Sequence, residues 1–322
     1  MRLSQELEKI LSPLPGTFGV FARNLGTDEV GEVNADKVLP TESAAKTFVL
    51  LHYSGLVTSG ECDPSARIRV PEDFRVNGTG VLRYLSPGIS LSLDDLAWLM
   101  IIVSDNVATA LLLLEIGGPE AVNKSMGDLG LKTGRLSSFE AMWEGAPFGT
   151  STPRDLAEAY VHLDEKCREI LARQQDLIGL PRRLQQSPYA VDLGVNMPVR
   201  VFNKTGVGPT TFIDSGLFET DSARWVVAVM TSEQPGPAIG PDDPAPVAFG
   251  EIGNILYHAW HSPAGGGGDR RTRVFGVSPS QRFGPPVPPA QMASASPQRH
   301  FEPPGQVRFS RPWSFQVRSS RS

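Results

Sequence analysis

From Leu96 to Ile116 the chain reads LAWLMIIVSDNVATALLLLEI: two apolar runs divided by one polar cluster, Ser104-Asp105-Asn106. Both runs carry helical spacing, so the fold must bury two helices that meet at this cluster. In such a setting each unpaired polar group costs roughly 1–3 kcal/mol. Three together need a reason. One reason is a helix cap, since Ser, Asp and Asn all serve well at that position. The other is chemical: a hydroxyl that relays a proton and an amide that orients a substrate.

The flanking segments define the rest of the architecture. Residues 16–35 predict a hairpin, GVFARNL and VGEVNAD joined by a turn at GTDE. Residues 43–175 read as mostly helical, with Asp or Pro-Arg-Asp opening LSLDDLAWLMIIV and PRDLAEAYVHLDEKCREILARQ. Residues 198–232 return to three short β-rich runs, PVRVFNKTG, TTFIDSGLFET and ARWVVAVMTSE, and a last helix, PVAFGEIGNILYHAWH, follows. Strands at both ends with helices between predict an α+β fold: one antiparallel sheet built from the two chain ends, flanked by helices, with an all-helical subdomain. A cleft where sheet and helices meet is the natural place for a site.

At 322 residues the chain is long enough for a substantial core. It changes character after Ser262. Residues 263–322 are rich in Pro, Gly, Ser and Arg, and nine arginines against Asp269 and Glu302 give them a charge of +7, leaving −12 for residues 1–262. Such a composition cannot offset its ordering entropy, so residues 263–322 are expected to be a disordered basic tail behind one domain at 1–262. The net charge of −5 argues against nucleic acid as a partner. No apolar run is long enough to span a membrane. The opening MRLSQELEKILSPLPG lacks the apolar core of a secretory leader. A cytoplasmic protein is expected from the chain as written, or a periplasmic or secreted one if a leader has been removed. Cys62 and Cys167 form no CxxC and lie near no His cluster, so no metal or cofactor is expected.

Two further clusters stand out. In TESAAKTFVLLHYSG, Ser43 and Lys46 are three residues apart at the start of a predicted helix and can share a face. A serine hydroxyl is a poor nucleophile until a base takes its proton. A lysine held under apolar neighbours loses hydration, which lowers its pKa and provides such a base. By itself the pair is equally a terminal serine beside a solvated lysine. In VFNKTGVG, Lys204-Thr205-Gly206 ends a predicted strand, and a glycine there lets the backbone approach a ligand. No phosphate-loop pattern surrounds it, and a plain turn is the alternative.

S-x-x-K, S-D-N and K-T-G in this order form a set used by class A β-lactamases and penicillin-binding proteins. Over roughly residues 5–261 the chain resembles the class A serine β-lactamases and related serine hydrolases, most closely in GTGVLRYLSPGISLSLDDLAWLMIIVSDNVATALLL and again in TSTPRDLA and FGEIGNILYHAW. The resemblance implies the sandwich of sheet and helices typical of these enzymes and of penicillin-binding transpeptidases. It implies that Ser43 attacks the lactam carbonyl, that Lys46 keeps the proton network poised, and that Ser104 passes a proton to the leaving nitrogen. Asn106 would hold the substrate side-chain amide. Lys204 and Thr205, on a strand opened by Gly206, would bind the substrate carboxylate. Backbone N–H groups of Ser43 and Val207 would form the oxyanion hole, an arrangement worth about 2.7–4 kcal/mol per donor in another enzyme.

The family activates its hydrolytic water with a glutamate on a loop after the S-D-N helix. Glu140, 36 residues after Ser104, occupies that place, with Glu144 as a second candidate. Around it the chain departs from the family. The expected E-x-x-L-N reads Glu140-Ala-Met-Trp143-Glu144, the loop to Pro153 is shorter, and Ser138 and Gly149 stand where an Arg and an Asp usually clamp it. Nor do Thr210, Thr211, Pro244 or Ala245 supply the arginine that family members often place beside the lysine strand. Esters therefore join β-lactams as expected small-molecule substrates of a monomer. The alternatives are a carboxylesterase or a D-Ala-D-Ala peptidase on the same scaffold. A Ser-His-Asp hydrolase is disfavoured, because G-x-S-x-G is absent.

Overall fold

The computed structural model describes residues 2–261 apart from 72, 73, 75, 87, 144, 145, 185, 186, 188, 190–192 and 237–239. The tail expected from 263 onward lies outside the described residues, as does Glu144. Among the described residues, no helix is long and apolar enough to cross a membrane.

The predicted hairpin is present as β1 (Thr17–Asn24) and β2 (Val30–Val33), with Val20 opposite Val33 and Arg23 opposite Val30. The three late β-rich runs become β3 (Arg200–Gly208), β4 (Thr211–Glu219) and β5 (Arg224–Ser232). They join the hairpin through β1 and β5, which run antiparallel from Thr17 opposite Ser232 to Asn24 opposite Trp225. The result is a five-stranded sheet in the order β2-β1-β5-β4-β3, made from both chain ends as expected. β3 is therefore an edge strand, with one side free of a strand partner.

Period-two alternation gives the sheet two apolar faces. Val20, Ala22, Val227 and Val229 share one core with Leu3, Leu7 and Leu11 of α1 (Arg2–Leu11) and with Phe249, Ile252 and Leu256. Those last three lie on the C-terminal helix, Pro244–Trp260. Phe21, Val226, Ala228 and Met230 belong to the other core, with the central helices. A sheet covered on both faces explains why β4 and β5 are buried almost throughout.

The central block contains α2 (Lys46–Ser59), α3 (Leu93–Ile102), α4 (Asn106–Glu115), α5 (Gly118–Asp128), α6 (Phe139–Trp143), α7 (Pro153–Glu158) and α8 (Glu165–Leu171). Two expectations need correction. Ser43 is not in the α-helix but in the 3-10 turn Glu42–Ala45 that precedes it. The stretch from Pro153 is not one continuous helix. It passes through a 3-10 turn, Ala159–His162, and restarts at α8, where the Asp164 side chain accepts from the Cys167 N–H at 2.8 Å. A side chain that satisfies a first-turn N–H begins a new helix at that point, which apolar spacing alone does not reveal.

Candidate active site

Ser104-Asp105-Asn106 divides its labour. Asp105 is fully buried and caps α4, accepting from the Ala108 N–H at 3.0 Å. Its second oxygen accepts from the N–H groups of Val81 (2.6 Å) and Leu82 (2.8 Å), which ties the loop before α3 to the cap. Asp105 is thus the cap, and its two neighbours are hydrogen-bonded to Lys46.

Lys46 is 1% exposed. Its Nζ donates to the Ser104 carbonyl oxygen (2.7 Å), Ser104 Oγ (3.0 Å) and Asn106 Oδ1 (2.8 Å). An ammonium has three protons, and these three acceptors match them. Burial holds the Lys46 pKa well below the usual lysine value; the nearby Lys204 charge acts in the same direction and Asp105 opposes it. The arrangement leaves Asn106 fixed at both ends, since its Nδ2 donates to the Asn77 carbonyl at 2.7 Å. Thr79 Oγ1 donates to the Ser104 carbonyl at 2.6 Å. Ser104 itself has a φ of +54°, a strained value for a side-chain-bearing residue, held by these contacts.

The third cluster reaches the site from the sheet edge. β3 lies directly against the turn that carries Ser43: a β-carbon on Gly206 would collide with the Thr41 carbonyl oxygen and sit 2.9 Å from the Ala44 nitrogen. Gly206 is thus required for the approach of two pieces of backbone, in addition to any ligand. Lys204 is fully buried and donates to the Thr205 carbonyl at 2.9 Å. Burial lowers its pKa to about 8 against the opposing charges of Asp176 and Asp214. Thr205 Oγ1 donates to Asp176 Oδ2 at 2.8 Å. The Val207 side chain is exposed on the same strand.

The structure therefore brings Lys46, Ser104 and Asn106 into one hydrogen-bonded group and sets Gly206 on the Ser43 turn. Glu140 stands apart. It is exposed in the first turn of α6, and its carboxylate is not among the hydrogen-bond partners of Lys46.

Several residues around the site were not singled out by sequence reasoning. Asp176 holds the Thr205 hydroxyl. Asp214 is buried in β4, accepts from Asn203 Nδ2 (2.9 Å) and the Leu180 N–H (2.7 Å), and has its pKa raised by burial to about 7. The Tyr160 hydroxyl bridges Thr47 Oγ1 (3.0 Å) and Ser215 Oγ (3.1 Å), joining α2 to β4 beneath the lysines. Glu42, next to Ser43, has a φ of +45° and lies within 3.4 Å of Thr211 Oγ1. The signal available for Asp214 was a charged residue inside an apolar strand; for Glu42 it was adjacency to Ser43.

Comparison with known proteins agrees with this geometry. The chain is similar to β-lactamase CARB-4 of Pseudomonas aeruginosa, with 26% identity over 47% of this chain and 54% of that one. It is also similar to a β-lactamase of Streptomyces lavendulae, with 30% identity over 45% of this chain and 50% of that one. The chain spans about half the length of these curated relatives. Among solved structures, a β-lactamase from Sphaerobacter thermophilus superposes with a TM-score of 0.68 at 26% identity, covering 80% of this chain and 96% of that one. PBP-A shares the fold with a TM-score of 0.69 at 23% identity, covering 80% and 96%. Residues 2–260 match the model of the Beta-lactamase enzyme family, and the chain belongs to that family.

Proposed function

We propose that the protein is a serine hydrolase that opens β-lactam amides through a covalent acyl-enzyme on Ser43. The observation that carries this reading is the buried Lys46 hydrogen-bonded to Ser104 Oγ, one turn along from Ser43. With its pKa depressed, Lys46 spends part of its time as a free amine, able to accept the Ser43 proton as Oγ bonds to the carbonyl carbon. Ser104 returns a proton to the lactam nitrogen as the C–N bond breaks. Asn106 offers its amide to the substrate, and Lys204 with Thr205 provides the pole for a carboxylate. Backbone N–H groups of Ser43 and Val207 receive the developing oxyanion.

Release of the acyl group requires an activated water, and Glu140 is the proposed base. A second reading has a specific observation in its favour. Glu140 is exposed and the Lys46 protons are already matched without it, which fits a long-lived acyl-enzyme of the penicillin-binding type. Intact-mass spectrometry after mixing with penicillin, read early and late, separates the two. A transient adduct with nitrocefin turnover supports hydrolysis; a permanent adduct supports the second reading; no adduct in the wild type removes the acyl-enzyme mechanism. Ser43→Ala should abolish the adduct, and Glu140→Gln should prolong it. Unchanged turnover in Glu140→Gln would take the base role from that residue.

A further inference from the structure

We infer that Glu42 governs the rate of acylation through its charge, acylation being slower when this carboxyl is ionised. The inference rests on the Ser43 acyl-enzyme proposed above and adds a residue to it.

Glu42 immediately precedes Ser43 in the 3-10 turn, and its left-handed φ of +45° sets the direction of its side chain. That side chain lies along β3. A β-carbon on Gly206 would come within 3.2 Å of Glu42 Cβ, and one on Gly208 within 2.9 Å of Glu42 Oε1. The side chain is therefore accommodated by the two glycines that flank Val207, its Cβ at Gly206 and its carboxyl at Gly208. Val207 and Ser43 are the residues whose N–H groups form the proposed oxyanion hole. Glu42 is thus joined to one donor through the chain and lies against the two neighbours of the other, Gly206 and Gly208.

Among the described residues nothing cationic pairs with it. The segments packed on the turn are β3, β4, α2 and the strand Gly149–Ser151. Their ionisable residues are Arg200 and Lys204, Asp214 and Glu219, and Lys46, His52 and Tyr53. The lysines are engaged with Ser104, Asn106 and Thr205, and Arg200 pairs with Glu219. Among the described residues the polar partner of the Glu42 carboxyl is Thr211 Oγ1 at 3.4 Å. Burial pushes the carboxyl above its ordinary pKa, and the Thr211 hydroxyl only partly offsets that.

The consequence is electrostatic. Attack by Ser43 moves negative charge onto the carbonyl oxygen, into the hole between these N–H groups. An ionised carboxylate beside the hole repels that charge, and low local polarity strengthens the repulsion. A protonated carboxyl fills the same space without the penalty. Acylation should therefore slow as Glu42 ionises.

The test is the rate of acylation by nitrocefin, in the full chain, from about pH 5 to 9, for the wild type and Glu42→Gln. The variant keeps size and shape and removes only the charge. The ratio of variant to wild-type rate should be near one where the carboxyl is protonated and climb to roughly tenfold once it has ionised. A ratio that stays flat with pH overturns the inference, because a residue that only fills space gives no pH-dependent difference. Glu42→Met serves the same comparison if the Gln variant does not fold. Carbon-13 NMR titration of the wild-type carboxyl is independent of both, and a Glu42 pKa at or below that of an ordinary glutamate also overturns the inference. An acyl adduct with a flat ratio removes this inference alone; no adduct at all removes the proposed function and this inference with it.

Discussion

Gly206 meets Thr41 so closely that no side chain fits between β3 and the turn carrying Ser43. The edge of the sheet and the turn that carries Ser43 are joined at this close approach of backbones. A carbonyl oxygen on one side and a strand on the other leave little room for a methyl group to be absorbed.

Gly206→Ala should therefore separate the two. The cost in stability is that of overpacking, about 1–3 kcal/mol. The greater effect should fall on acylation, since displacing a reacting group by about an ångström can cost on the order of 100-fold in rate. Thermal melting and the rate of acyl-enzyme formation measure the two separately. A variant that acylates at the wild-type rate would show that β3 does not position the reacting groups.

Lys46→Met should divide chemistry from stability. The methionine fills most of the same volume without a charge, and a buried cation carries a desolvation cost that an apolar group avoids. It also leaves the Ser104 carbonyl, Ser104 Oγ and Asn106 Oδ1 without their common donor. These effects oppose each other, so the urea midpoint should move by less than about 2 kcal/mol in equivalent free energy. Acylation should fall by about 100-fold or more, the scale of a lost general base. Retained acylation would assign the base elsewhere.

Stability should depend on pH through Asp214 and Lys204, in opposite senses. The folded Asp214 pKa is about 7 against an ordinary value of 3.8, so the folded state keeps a proton that the unfolded chain has lost. Its contribution makes stability fall as pH rises through that interval. The folded Lys204 pKa is about 8 against 10.5, so there the unfolded chain holds the extra proton, and stability should rise with pH above about 8. Lys46, also held below its ordinary value by burial, adds a rise of the same sign as Lys204. In urea midpoints, Asp214→Asn should flatten the acidic limb and, by removing a charge that opposes the Lys204 shift, extend the alkaline rise to lower pH. An unchanged acidic limb would show that Asp214 is not the group responsible.

Much of this was legible in the chain. The turn at GTDE and the β-rich runs now seen as Thr17–Asn24 and Arg224–Ser232 announced strands from both chain ends. The apolar runs around Ser104-Asp105-Asn106 announced buried helices, and the polar cluster announced a site. Short-range spacing carries these signals because one residue step changes the face on which a side chain lies. The interruption of the stretch after Pro153 was harder to read, because apolar spacing runs through the 3-10 turn and the cap at Asp164 alike.

The sequence by itself determined the five strands of the main sheet and the main helical segments, and singled out three polar clusters. Only the tertiary structure decided their partners: Lys46 on Ser104 and Asn106, β3 against the Ser43 turn through Gly206, Glu42 against Gly208 and Thr211, and Glu140 left exposed. The physical reason is range. Periodicity and caps act over a few residues, whereas burial, hydrogen bonding and charge at the site depend on groups scores of residues apart, brought together when the sheet closes between β1 and β5.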